Sequence, residues 1–128
     1  MIPKFRAWLK EEYRMTDVRE ITFFNDEIQM ISGVEGFYAY DEFELMQSAG
    51  LKDKNGKEIF EGDIIKYKAG WKTFTEEVAY DKIFAGFGVM DADADIIFSF
   101  GELADGIYLN SLEVVGNIYE NKELLEEK

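Results

Sequence analysis

Residues 45 to 67 read Leu45-Met46-Gln47-Ser48-Ala49-Gly50-Leu51-Lys52-Asp53-Lys54-Asn55-Gly56-Lys57-Glu58-Ile59-Phe60-Glu61-Gly62-Asp63-Ile64-Ile65-Lys66-Tyr67. Asn55-Gly56 is a strong two-residue hairpin signal. A type I′ turn needs positive φ at both central positions, which asparagine tolerates and glycine adopts freely. Lys54 and Lys57 keep the tip in water. Glu61-Gly62-Asp63 then interrupts the chain before Ile64-Ile65-Lys66-Tyr67, a short strand rich in β-branched residues. Gly62 suits the turn there, and Asp63 can accept backbone N–H bonds at the start of the strand. Upstream, Gln47 to Asp53 lacks the spacing of a phosphate loop and no helix follows it, so it reads as a polar corner between strands.

Outward from this block, glycine and Asn/Asp clusters punctuate the chain at short intervals, the habit of an antiparallel β protein. Proline occurs only at position 3. Phe5 to Leu9 and Tyr13 to Met15 predict a first hairpin turning through Lys10-Glu11-Glu12. Val18 to Phe24 and Ile28 to Ser32 predict a second, with Asn25-Asp26 at its turn. Phe23 and Phe24 are adjacent, so one of them must leave the face the other buries, and a ragged tip is expected. Further on, Phe74 to Tyr80, Ile83 to Met90, Ile96 to Phe100 and Leu112 to Tyr119 are predicted strands. Gly86 and Gly88 share one strand face and predict a bulge or a close backbone crossing. Asn121 is placed to N-cap a short C-terminal helix, Lys122 to Glu127.

The central block resembles the YopX proteins of bacteriophages and prophages, notably in Leu51-Lys52-Asp53, Asn55-Gly56 and Glu61-Gly62-Asp63-Ile64. Ile2-Pro3-Lys4-Phe5-Arg6-Ala7-Trp8 and Val114-Val115-Gly116-Asn117-Ile118-Tyr119-Glu120-Asn121 fit the same resemblance. Residues 17 to 40 and 68 to 108 carry no family pattern. The resemblance implies a small β-rich phage accessory protein with no assigned biochemical role, and it supplies no catalytic residues. It also agrees with the strand reading, in which a Gly-Asp-Ile-Ile strand, a long hairpin and a returning strand resemble an SH3-like barrel. The expected fold is all-β and mainly antiparallel. It is one integrated domain, with an N-terminal β lobe over residues 1–42, an SH3-like barrel lobe over 43–128 and a short C-terminal helix. Within the resemblance, Gln47, Lys52 and Asp53 are the best candidates for a shared contact surface.

Composition narrows the chemistry. The 128 residues include no cysteine and no histidine. Thiolate nucleophiles, a Ser-His-Asp triad and imidazole or thiolate zinc sites are therefore excluded. Twenty-seven acidic residues against 14 basic ones give a net charge of −13. Such a surface repels phosphate backbones and anionic lipid, so neither nucleic acid nor membrane is an expected direct partner. It fits plain solubility, or an acidic decoy that mimics DNA towards a basic host protein. No apolar run approaches the ~20 residues that span a bilayer. Lys10, Glu11 and Glu12 follow Leu9 where a signal peptide would place its apolar core, so a location in the bacterial cytoplasm is expected.

One pattern looks like a site. Asp91, Asp93, Asp95 and Glu102 occupy positions 1, 3, 5 and 12 of a calcium loop. Ile96 stands where the sharp turn needs glycine, and the flanks read as strands, so an exposed, solvated acidic connection is the favoured reading. Trp71, between Gly70 and Lys72, could anchor a partner or pack on its own barrel. With no nucleophile, base and oxyanion donor assembled, the expectation is a non-enzymatic interaction or structural module without a cofactor. A carboxylate or metal-dependent enzyme is the lesser alternative. Homo-oligomerisation through Leu45 to Tyr67, or binding of a host or phage protein, is the expected partnership.

Overall fold

A computed structural model of the chain describes residues 4–81, 86–91, 96–99 and 111–126. The fold is all-β, and the chain divides into two compact units, Met1–Ser48 and Ala49–Lys128. Among the described residues no helix is long and apolar enough to cross a membrane.

In the first unit, β1 (Phe5–Leu9) pairs antiparallel with β2 (Arg14–Asp17) and with the first half of β6 (Phe43–Lys52). A second sheet has the order β3-β4-β5, formed by Glu20–Phe24, Glu27–Ser32 and Phe37–Ala39. Strand alternation sends Ala7 and Leu9 to one face, where they meet Ile31 and Phe43 in a buried cluster. Ile21, Ile28 and Tyr38 pack on that cluster from the second sheet. Each of these large apolar side chains contributes about 1.5–3 kcal/mol when fully buried. Trp8 points the other way, is buried, and meets the Tyr13 ring edge-on at 4.9 Å.

The second unit holds β7 (Glu58–Phe60) and a five-stranded sheet. Its strands are β8 (Asp63–Ala69), β9 (Lys72–Asp81), β10 (Gly86–Asp91), β11 (Ile96–Ser99) and β12 (Glu113–Asn117). They run in the order β11-β10-β9-β8-β12. Ile59, Ile65, Tyr67, Val78, Val89 and Leu112 form its core. The register Ile65↔Glu76 places a glutamate on that core face. Glu76 is buried there, and the Tyr67 hydroxyl donates to its carboxylate.

Several expectations are corrected. Gln47 to Lys52 is no corner; it is the second half of β6. Its small and polar residues have low strand propensity, and pairing across the sheet overrides it. Phe43 to Gln47 pair with Leu9 to Phe5 inside the first unit, Met1–Ser48. Asn55-Gly56 is not a type I′ turn. Gly56 alone has positive φ (83°), Gly56 N donates to the Asp53 carbonyl, and Asp53 N donates to the Lys57 carbonyl. That is a three-residue loop with glycine in the left-handed position. The type I′ geometry sits instead at Asn25 (φ 51°) and Asp26 (φ 65°), between the paired Phe24 and Glu27.

Gly88 pairs with Ala79 and Gly86 with Asp81 in an unbroken register, so these glycines make no bulge. The irregularities lie between Thr22 and Phe23 and between Val114 and Gly116. At the C-terminus the expected helix is a four-residue 3₁₀ turn, Lys122–Leu125, and Asn121 gives it no side-chain cap. The Asn121 carbonyl oxygen Oδ1 accepts from Asn117 N at 3.2 Å instead. A Cβ on Gly116 would come within 2.6 Å of that oxygen, so glycine makes room for the contact.

Candidate interaction surface

The three-stranded sheet of the first unit carries most of the outward aromatic surface among the described residues. Its making is local. Asn25 and Asp26 tolerate the left-handed region because their short side chains can hydrogen-bond nearby backbone, and the resulting I′ turn matches the strand twist. The register shift between Thr22 and Phe23 then turns the end of β3 off the regular pleat. Phe23 and Phe24 are left 62% and 64% exposed. On the other side of β4, Phe37 and Tyr40 are 71% and 69% exposed. Tyr40 is held by its amide, which donates to the Gln29 carbonyl at 3.0 Å. Ala39 N donates to the Glu42 carboxylate at 2.8 Å and fixes the turn that follows β5.

Between these aromatics lies a concavity of about 310 Å³, lined by Phe24, Glu27, Ile28, Gln29 and Tyr40. Its size is at the small end of ligand sites, enough for one long side chain. Its charge is one-sided. From Glu20 to Glu42 the chain has six carboxylates, at Glu20, Asp26, Glu27, Glu35, Asp41 and Glu42, and no lysine or arginine. Arg14 lends one cation to this sheet. Its guanidinium donates to Glu12 at 3.0 Å, to Glu35 at 3.1 Å and to the Tyr38 hydroxyl at 3.4 Å. The Tyr38 hydroxyl and Arg14 hold Glu12 below the usual carboxylate range, while the bond to Glu12 raises the Tyr38 phenol.

The residues singled out from sequence are scattered. Trp71 is 91% exposed at the turn between β8 and β9, beside Gly70 at φ 66°. Lys72 Nζ stands 6.0 Å from its ring centroid. Lys52 is exposed and Gln47 is half-buried opposite Phe5. Asp53 is buried and structural. Its Oδ1 accepts from Asn55 N and Lys57 N, and its Oδ2 from Val114 N, all at 2.9 Å. Burial is the largest influence on this carboxyl and pushes its pKa up, but the amides of Val114, Lys57 and Asn55 together outweigh it and hold the pKa low. Asp63 is likewise buried, and accepts from Phe60 N at 2.8 Å. Beside it Gly62, at φ 83°, donates to the Val78 carbonyl and accepts from Ile118 N.

Asp93, Asp95 and Glu102 lie outside the described residues, and Asp91 ends β10. Among the described residues no three acidic groups come together to hold a metal ion. Sequence reading passed over the outward face of β3-β4-β5. The signal for it was the adjacent Phe23-Phe24 pair inside a stretch without a basic residue. The buried Tyr67–Glu76 pair was also missed, since Glu76 beside Glu77 reads as solvated charge.

A profile of the YopX protein family matches residues 4–126. Protein EF1440 from Enterococcus faecalis, known from a crystal structure, is 32% identical with a TM-score of 0.71, and the match covers 98% of this chain and 99% of that one. No curated protein matches the chain. The buried Asp53 and Asp63 and the left-handed Gly56 and Gly62 thus lie within a segment that a whole family profile spans, and the chain belongs to the YopX family.

Proposed function

We propose that this protein is a non-enzymatic interaction module of phage or prophage origin, and that it docks a partner protein on the outward face of β3-β4-β5. The observation that carries this reading is the exposure of Phe23, Phe24 and Phe37 on one small sheet and of Tyr40 just after it. Leaving four aromatic rings in water forgoes several kcal/mol of burial, at about 1.5–3 kcal/mol per large side chain. Exposed aromatic rings are candidate interaction anchors, and buried aromatic anchors supply most of the binding energy at interfaces. The exposed residues of Leu45 to Tyr67 are by contrast Gly50, Lys52, Lys54, Asn55, Gly56, Lys57 and Lys66, which offer a partner little apolar area. We read the second unit as an SH3-like barrel serving as scaffold, and the host cytoplasm as the place of action.

Affinity capture from the bacterial host tests this reading with two variants. Phe23→Ser/Phe37→Ser removes two of the four exposed rings, and Trp71→Ser removes the most exposed ring of the other unit among the described residues. Loss of the captured protein at least ~10-fold with the first variant and retention with the second is the expected result. Capture that survives the first variant overturns the assignment. Capture of a host DNA-binding protein, lost when Asp26, Glu27 and Asp41 are neutralised, would move the reading to the DNA-mimic decoy.

A further inference from the structure

We infer that the concavity between Phe24 and Tyr40 receives an arginine side chain from a basic partner protein, a step that rests on the docking role proposed for this face. The lining supplies what a guanidinium requires. Phe24 and Tyr40 offer two aromatic rings, and a planar cation stacks on such faces. Glu27 stands at the same rim, and among the described residues its carboxylate has no hydrogen bond or ion pair. A carboxylate accepts two parallel N–H bonds from a guanidinium, a geometry that a lysine ammonium cannot match. Ile28 gives an apolar wall for the methylene stem, and the Gln29 amide oxygen can take a further N–H. The volume of about 310 Å³ has room for one such side chain.

Charge selects the occupant. The six carboxylates from Glu20 to Glu42, with no base among them, repel an acidic segment and favour a cationic one. A second copy of the chain would bring its own −13 charge to this face and is disfavoured on the same ground. A purely aliphatic anchor would leave Glu27 desolvated beside it with no hydrogen-bond donor, which costs free energy rather than gaining it.

The test is a titration of the full-length protein, followed by its amide NMR spectrum. The probes are N-acetyl-arginine methylamide and, separately, N-acetyl-leucine methylamide. The arginine probe should shift the amides of residues 24–29 and 40, with a dissociation constant on the order of millimolar, as expected for one side chain. Added salt should weaken it, and Glu27→Gln should weaken it by about fivefold or more. Phe24→Ser should abolish the shifts. Both positions are exposed, so the variants should keep the wild-type spectrum away from this face. Equal binding of the leucine probe at the same amides overturns the arginine assignment while leaving an apolar docking face. Shifts from neither probe overturn the assignment too, and leave the docking role to the capture experiment. Concentration-dependent self-association that covers the same amides also overturns it.

Discussion

The two units differ in where they concentrate buried carboxylates and exposed aromatic rings. The second unit turns polar groups inward: Asp53, Asp63 and Glu76 are buried, and their carboxylates accept from backbone amides or from the Tyr67 hydroxyl. In the first unit it is apolar groups that turn outward, with Phe23, Phe24, Phe37 and Tyr40 left in water. A buried carboxylate holding several amides stabilises a loop that has little apolar surface of its own. An exposed ring does nothing for its own fold and becomes useful when something covers it. The residues behind the family resemblance, Asp53, Gly56, Gly62 and Asp63, build the scaffold. Residues 17 to 40, which the family profile also spans, present the surface.

The sharpest way to break this contrast is to remove Asp53. Asp53→Ala leaves the amides of Asn55, Lys57 and Val114 without their acceptor and frees the loop from β12. A loss of about 2–4 kcal/mol in denaturant unfolding is expected. Gly62→Ala comes next. At φ 83° an L-residue is strained, and both backbone groups of Gly62 are engaged, with Val78 and Ile118. A loss of about 1–2 kcal/mol is expected from the same measurement.

These scaffold features were partly legible in the sequence. Gly62-Asp63 at the start of a strand follows from turn chemistry alone, and the hairpin at Asn25-Asp26 was placed correctly from the same reasoning. Asn55-Gly56 misled because the local signal could not register Asp53 reaching across to Val114, a contact 61 residues away in sequence. The half of β6 from Gln47 to Lys52 was hidden for a related reason, since its strand character comes from its neighbours and not its composition. The aromatic face was visible only as a ragged tip. That Tyr40 comes to line one concavity with Phe24 depends on the β4–β5 pairing, which periodicity does not give.

Acid should sharpen the contrast further. The folded pKa of Asp53 lies below its unfolded value, so the unfolded chain binds the extra proton as pH falls. Its stabilisation is complete above the unfolded pKa, about 3.9, and is lost as pH drops through the lower folded value. Unfolding midpoints measured downward from about pH 5 should fall in the wild type and fall less in Asp53→Ala. Glu77 has the opposite sign and a smaller effect. Burial raises its folded pKa, with Lys122 opposing, so above that pKa the ionised carboxylate weakens the fold. Glu77→Gln should therefore raise the unfolding midpoint slightly at neutral pH and lose that advantage in acid.

The division of labour itself is tested most directly by denaturant unfolding of Phe24→Ser/Tyr40→Ser beside Asp53→Ala under one set of conditions. If the aromatic face exists for a partner, the double variant keeps wild-type stability to within about 0.5 kcal/mol, the range of ordinary surface changes. A loss as large as that of Asp53→Ala would mean that Phe24 and Tyr40 hold the first unit together, and would contradict the account.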